Sequence, residues 1–208
     1  MARILITSGP TREYLDPVRF LTNASSGRMG QALAQAALDA GYEVTVISGP
    51  VQVEYPTGAE VINVVSTTDM LNAGREHLAR AVGVIAAAAP CDYAPRNVAD
   101  DKLKKTGQPL QLELVETPDV IGTLAGEKSS QWVVAFALET SDGRRRALEK
   151  LRRKGCDLIV LNGPAAMHSE ETSIEVLAPD GQTVLNATGS KADVASQIIA
   201  LVGERFSG

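Results

Sequence analysis

Sulfur, imidazole and aromatic side chains are scarce in this chain, and each scarcity removes a class of explanation. Cys91 and Cys156 are the two cysteines, and His77 and His168 the two histidines. Two thiols are too few for a disulfide framework, and neither lies in a CxxC or Cys/His array that would hold zinc. Both are expected to be reduced and buried. The histidines have no Ser/Asp or metal-ligand context, so they read as structural or exposed. No apolar run approaches the roughly 20 residues that cross a bilayer. Met1-Ala2-Arg3 runs straight into Ile4-Leu5-Ile6 without a signal-peptide pattern. The expectation is a cytoplasmic protein with no membrane partner. An excess of positive charge is also missing: the formal net charge is −5, which argues against nucleic acid, whose partners present net basic surfaces.

What the chain does have is hydrophobic content, 44% of 208 residues, enough for a sizeable core and most simply one domain over 1–208. Short β-branched runs alternate with helix-like stretches, the pattern of an α/β fold with a mainly parallel sheet. Strands are predicted at Arg3–Thr7, Glu43–Ser48, Glu60–Val64, Val82–Ala88, Trp132–Ala137 and Asp157–Leu161. Helices are predicted at Arg28–Ala40, ending at Gly41, then at Thr68–Ala81 and Gly143–Lys154. Thr67 or Thr68 is the expected cap of the second helix and Asp142 of the third. Ser173–Leu177 and Thr183–Asn186 around Pro179-Asp180-Gly181 read as an antiparallel hairpin. Lys191–Phe206 closes the chain as an amphipathic helix.

Several segments carry chemistry. Ser25-Ser26-Gly27-Arg28-Met29-Gly30 opens a helix, and its two glycines let an anion approach the free amides at the positive end; the competing reading is that Gly27 and Gly30 only permit close helix packing. As a dinucleotide fingerprint the segment is defective. Ser25 replaces the first glycine, the distance from the preceding strand is long, and Ser48-Gly49-Pro50 supplies no ribose-binding acid, which disfavours a nicotinamide oxidoreductase.

The long Ser8–Ser26 connection is itself unusual and points to function. An Asp16–Arg19 pair can shape it, and Asn23 offers both donor and acceptor while being too neutral to act as a base. Ala86, Ala87 and Ala88 end a strand in small side chains, which leaves room for a ligand or serves a tight helix contact; Asp92 beyond them can accept from a ribose or a base amine. Thr117-Pro118-Asp119-Val120-Ile121 starts a helix whose amides suit phosphate, with Asp119 equally readable as a favourable charge at a helix start. Lys150 and Lys154, four apart, share one helix face and read as a phosphate clamp or a solvated pair. Lys102-Leu103-Lys104-Lys105, followed by Leu112-Glu113-Leu114, reads as a polyanion clamp or a solvated basic turn.

Together these segments resemble phosphopantothenoylcysteine synthetase, the ligase part of a bacterial coenzyme A biosynthesis flavoprotein family. The resemblance runs along the whole chain: Thr11-Arg12-Glu13, Asp16-Pro17-Val18-Arg19, Asn23 with Ser25 to Gly30, Asp92-Tyr93, the lysine motif with LxL, Phe136, Glu139-Thr140, Lys150, Lys154 and Asp157-Leu158-Ile159. Tyr14 and Ala24 depart from it, standing where relatives often carry Pro and a larger polar residue. The resemblance implies a Rossmann-like three-layer α/β sandwich with an antiparallel C-terminal hairpin extension. It implies a homodimer that joins 4'-phosphopantothenate to L-cysteine with CTP and Mg2+ through an acyl-cytidylate, with release of CMP and pyrophosphate. By the same resemblance Ala86–Ala88, Asp92, Lys102, Pro118, Asp119, Val120, Ile121, Phe136, Lys150 and Lys154 bind the nucleotide. Asn23, Arg19 and Lys102 act in catalysis, and Ser25, Ser26, Gly27 and Gly30 are the expected phosphate site. No metal ligands are identified. Relatives carry an N-terminal flavoprotein, and the sequence leaves open a stand-alone synthetase or half of a bifunctional protein. The alternative reading is a nucleotide-binding module or reductase without ligase activity.

Overall fold

The computed structural model describes residues 1–138, 142–163 and 171–206; His168, Glu139 and Thr140 lie outside them. The chain forms β1 (Arg3–Ser8), β2 (Arg12–Tyr14), β3 (Phe20–Thr22), α1 (Arg28–Asp39), β4 (Glu43–Ser48), β5 (Glu60–Asn63), α2 (Thr67–Leu78) and β6 (Gly83–Ala86). There follow β7 (Tyr93–Pro95), β8 (Leu114–Glu116), α3 (Val120–Glu127), β9 (Trp132–Leu138), α4 (Gly143–Lys154), β10 (Leu158–Asn162), β11 (Glu171–Leu177), β12 (Thr183–Ser190) and α5 (Lys191–Phe206).

Eight strands make one sheet in the order β12-β11-β10-β9-β6-β1-β4-β5. The pairs from β5 to β10 are parallel, and β11 and β12 join antiparallel. Counting only the parallel strands, this is the 3-2-1-4-5-6 order of a doubly wound Rossmann-like fold, with its topological switch between β1 and β6.

Strand alternation builds the layers. Ile4, Ile6, Val44, Val46, Val134 and Val160 face one side, where they meet Leu33 and Ala37 of α1 and Val194, Ile198 and Val202 of α5. Leu5, Ile47, Val133, Ala135 and Ile159 face the other, against Met70 of α2, Leu124 of α3 and Leu151 of α4. Burial on both faces explains why the parallel strands read as continuous apolar runs rather than alternating ones.

The helix ends are specific. Gly41, at φ 84, follows α1 as its left-handed cap. The Tyr42 and Gly41 amides donate to the carbonyls of Ala37 (3.0 Å) and Leu38 (2.9 Å), a Schellman closure. The cap of α2 is Ser66 rather than Thr67 or Thr68: its hydroxyl accepts from the Asp69 amide while Asp69 accepts from the Ser66 amide. Asp142 precedes α4 at φ 50 and makes no side-chain cap hydrogen bond, contrary to expectation. β6 stops at Ala86, earlier than its apolar run, and the hairpin strands reach Glu171 and Ser190, beyond the predicted Ser173 and Asn186. The turn between them is as read: Gly181 has φ 89 and the Gln182 amide donates to Asp180.

Candidate functional site

A cleft of about 860 Å³ opens at the carboxyl ends of the parallel strands, by the switch point, where the chains leaving β1 and β6 stay hydrogen-bonded as far as Gly9 and Ala89. That volume suits a nucleotide-sized ligand. Thr7, Asn23, Ser25–Gly30, Ala86–Asp92, Glu116–Ile121, Phe136, Lys150 and Lys154 are among its lining residues.

One wall is the start of α1. Gly27 is its N-cap at φ 75, with no side-chain cap bond, and the first turn holds no acid. Both glycines are required sterically. A Cβ on Gly27 would meet Val51 Cγ1 at 2.8 Å, in a backbone conformation that L side chains rarely adopt, and one on Gly30 would meet Ser8 Oγ at 2.0 Å. The packing and anion readings of this segment are therefore compatible: Gly30 lets α1 sit directly on β1, and Gly27 leaves its leading amides without a side-chain cap.

The start of α3 differs. Asp119 accepts from the Gly122 amide at 3.0 Å and from Lys154 Nζ at 2.6 Å. Burial alone would raise the Asp119 carboxyl, but these two bonds together with the Lys154 and Arg153 charges hold the group below the ordinary carboxylate range. The α3 terminus thus carries its own anion, the second of the two readings of Asp119, and that carboxylate occupies the Gly122 amide. Lys150 Nζ donates to the Phe136 carbonyl at 2.9 Å. Both lysines line the cleft, each engaged with the protein rather than solvated.

A second part of the wall comes from the Ser8–Ser26 connection, which contains the β2–β3 hairpin and lines the cleft with Asn23 to Ser26. Its Thr11, fully buried, accepts from the Cys91 amide at 2.8 Å and shares a hydrogen bond of 2.9 Å with Thr67. Thr117 Oγ1 donates to the Cys91 carbonyl at 2.5 Å. Glu13 accepts from the Thr67 amide at 2.8 Å. This network fastens three cleft-forming segments to one another and fixes the turn that presents Asp92. Asn23 extends the same wall, its amide nitrogen donating to the carbonyls of Pro90 (2.8 Å) and Ala89 (3.2 Å).

Arg19 and Lys102 do not line the cleft. Asp16, inaccessible to solvent, accepts from the amides of Val18 and Arg19 at 2.9 Å and from the Arg19 guanidinium. It also accepts from the Leu103 amide at 3.1 Å, while Arg19 donates to the Leu103 carbonyl at 2.7 Å. The Arg19 hydrogen bond is the main cause that holds the Asp16 carboxyl well below the carboxylate range. Lys102, Lys104 and Lys105 are exposed on the long arm between β7 and β8, and Asp16 and Arg19 grip that arm at Leu103. The catalytic trio read from the sequence is therefore divided: Asn23 stands in the cleft, and Arg19 and Lys102 form a second cluster outside it.

Thr11, Thr67 and Thr117 each belong to a segment that the sequence marks, but nothing in the sequence joins them to Cys91 as one network; only the fold does. Asn162, Thr172 and Lys191 also line the cleft and belong to no motif read from the sequence.

A doubly wound α/β sheet with a cleft at its switch point, small side chains on the strand end and an uncapped helix start defines a Rossmann-like α/β protein. Residues 1–205 match the family model described as the DNA/pantothenate metabolism flavoprotein C-terminal domain, and the chain belongs to that family. It is 40% identical over 211 residues to the Coenzyme A biosynthesis bifunctional protein CoaBC of Vibrio cholerae, covering 98% of this chain and 53% of that protein. It is 41% identical over 201 residues to the protein of the same name from Bacillus subtilis, covering 94% and 50%. The chain thus spans about half the length of these curated relatives. Among solved structures, a CoaBC C-terminal domain aligns with a TM-score of 0.85 at 36% identity, covering 98% of this chain and 95% of that one. The fold alone is shared with a Cab2 variant in complex with phosphopantothenate-cysteine, at TM-score 0.80, 15% identity and coverage of 98% and 88%.

Proposed function

We propose that the chain is a phosphopantothenoylcysteine synthetase that joins 4'-phosphopantothenate to L-cysteine at the expense of CTP. The observation that carries this reading is the meeting, in one cleft, of an uncapped α1 terminus with Asn23 and the small Ala86–Ala88 strand end. The names of the relatives, which place them in coenzyme A biosynthesis, support it.

A carboxylate is a poor acylating agent, so it first attacks the α-phosphate of CTP. The bond to the β-phosphate breaks, pyrophosphate leaves, and an acyl-cytidylate results. The cysteine amine then attacks the acyl carbon, the bond to CMP breaks, and the amine proton passes to solvent. The protein needs no nucleophile of its own. Its work is to neutralise and position phosphates, where preorganised donors act most strongly. The α1 amides and Lys150 stand by the phosphates, Asp92 by the ribose, and the Ala86–Ala88 backbone by the cytosine edge. Asn23, its nitrogen held by Pro90 and Ala89, keeps an amide oxygen for the incoming amine.

Magnesium fits this cleft as a companion of the triphosphate. Among the described residues no group of three His, Cys, Asp or Glu side chains converges, while Asp92 and Glu116 line the cleft. Mg2+ commonly binds through one or two carboxylates plus substrate phosphates, and it would supply charge neutralisation at the departing pyrophosphate.

Arg19 and Lys102 reach the reacting groups only if the arm between β7 and β8 closes or a second copy supplies them. A homodimer accommodates this. The arm and its flanking strands expose Val98, Leu110, Leu112 and Leu114, each at least 41% accessible, an apolar strip that a partner would cover. The decisive experiment incubates the chain with phosphopantothenate, cysteine, CTP and magnesium. Pyrophosphate released in proportion to a thiol-bearing amide is expected, and its absence ends the ligase reading. Comparable turnover with ATP would refute the cytidine preference, and a 22 kDa species by sedimentation at micromolar concentration would refute the dimer.

A further inference from the structure

The cleft continues along the sheet past β9 toward β10 and β11, where it is lined by Arg28, Asn162, Thr172 and Lys191. Three side-chain atoms among the described residues are buried without a hydrogen-bond partner: His77 Nδ1, Asn162 Oδ1 and Thr172 Oγ1. The last two belong to this stretch of the cleft, whereas His77 does not line it. Thr172 is only 4% exposed. A buried polar atom without a partner is costly, so two of them on neighbouring cleft-lining residues mark this stretch as one that a ligand could satisfy.

Two cations stand at helix starts beside this stretch of the cleft. Arg28 is the first residue of α1 and Lys191 the first residue of α5, both at helix ends where the macrodipole disfavours cations. The register brings the second of them close: Thr172 pairs with Gly189 and Glu171 with Ser190, so β12 delivers Lys191 beside the start of β11. On the other side, Asn162 pairs with Leu138 of β9 and Ile174 of β11. Burial depresses the Lys191 ammonium pKa, and the nearby Arg28 charge depresses it further. Two cations, a hydroxyl and a carboxamide that can turn its N–H2 inward compose a seat for a tetrahedral anion.

We propose that Arg28, Asn162, Thr172 and Lys191 form a phosphate subsite on the β10–β11 side of the cleft. The proposal rests on the reading of the cleft as a nucleotide site. Its occupant is a phosphate group from one of two sources, the β,γ-phosphates that leave CTP as pyrophosphate or the 4'-phosphate of phosphopantothenate.

The test is calorimetric titration of the full chain and of Thr172→Val, Lys191→Ala and Lys191→Arg with magnesium CTP, pyrophosphate, phosphopantothenate and cytidine. Lys191→Ala should weaken the phosphorylated probe that uses the subsite roughly tenfold, as loss of a charged hydrogen bond implies, with partial recovery in Lys191→Arg and unchanged cytidine binding. Thr172→Val should weaken the same probe at least threefold while its melting temperature holds or rises, because valine removes an unsatisfied hydroxyl without changing shape. Loss confined to CTP and pyrophosphate assigns the leaving group; loss confined to phosphopantothenate assigns the substrate phosphate. The proposal is overturned if both variants bind every phosphorylated probe as wild type does, if wild type binds none, or if Thr172→Val melts lower and loses cytidine equally. Product formation by wild type is scored separately, so the subsite and the ligase reading fail by different results.

Discussion

Replacing Gly30 with alanine tests how α1 is seated. An ideal Cβ at this position falls 2.0 Å from Ser8 Oγ, 2.4 Å from Ser8 Cβ and 3.4 Å from Ser8 Cα. Carbon atoms prefer separations near 3.5–4.0 Å, so the helix must lift by about 1 Å. Ser8 cannot turn aside: its hydroxyl can rotate, but its Cβ is fixed to β1, between two neighbouring strands and fully buried. Alanine gains about 1 kcal/mol of helix propensity, whereas overpacking costs roughly 1–3 kcal/mol, with this contact at the upper end. The net is a destabilisation of about 1–2 kcal/mol, equivalent to a melting temperature about 2–8 °C lower for a chain of this size. Because the α1 amides move with the helix, CTP affinity should also fall, by about tenfold. Ser8→Ala removes only the 2.0 Å contact and leaves the one at 2.4 Å, so it should not rescue Gly30→Ala; Ser8→Gly removes both and should. Scanning calorimetry with CTP titration decides the matter. A Gly30→Ala protein that melts at or above wild type and binds CTP equally refutes this seating of α1.

The Thr11 network predicts that Thr11→Val, which strands the buried Cys91 amide, lowers unfolding free energy by about 1–3 kcal/mol in urea titrations, with Thr11→Ser recovering most of it. Burial pushes the Cys156 thiol up to about 11 and raises Cys91 as well; a disulfide reagent at pH 8 should therefore react slowly with the folded chain and release two equivalents once urea unfolds it. Asp16 has its carboxyl depressed by Arg19. A depressed carboxylate stabilises the fold above its unfolded pKa of about 4 and loses that contribution as pH falls toward the folded value, so Asp16→Asn should be less stable at pH 7 and the gap should narrow below pH 4. Lys102→Gln, on an exposed arm, should leave stability unchanged and abolish pyrophosphate release, whereas Asn23→Asp should still activate the carboxylate and accumulate acyl-cytidylate. Mass spectrometry of quenched single turnovers separates the two, and equal loss of the first step in both refutes the division of labour.

Periodic and turn-bearing segments were legible because local physics settles them. The β1, β4 and β9 runs are apolar on both faces, Gly41 must cap α1 from the left-handed region, and Pro179-Asp180-Gly181 can only be a turn. What was not legible depends on closure at a distance. Thr67 and Thr68 cap as well as Ser66 on composition, and the choice falls to Ser66 because Asp69 stands three residues later to complete a reciprocal pair. The two-stranded ribbons leave no pattern in the sequence, because three residues carry no period. In the candidate site, strand-end alanines and the glycine pair are visible, whereas Arg19 and Lys102 share a role with Asn23 only by resemblance, and it takes the fold to show that the Asp16 clamp holds Arg19 on Leu103, next to Lys102 in the chain.

The contrast between α1 and α3 shows why motif reading alone cannot assign a phosphate site. Both helices start at the cleft, and both open with residues that suit an anion. At α3 the anion is already in the chain: Asp119 takes the Gly122 amide and draws Lys154 onto itself, so a cation that the sequence offers to a triphosphate is first spent on folding. At α1 the cap is a glycine and the first turn brings Arg28, a charge that works against the helix dipole unless an anion arrives. Stability is thus arranged at one end of the cleft and withheld at the other. Binding energy from a phosphate is largest where the fold has left amides and cations unsatisfied, so on the proposed reading of the cleft α1, rather than α3, is the end to test for the polyphosphate.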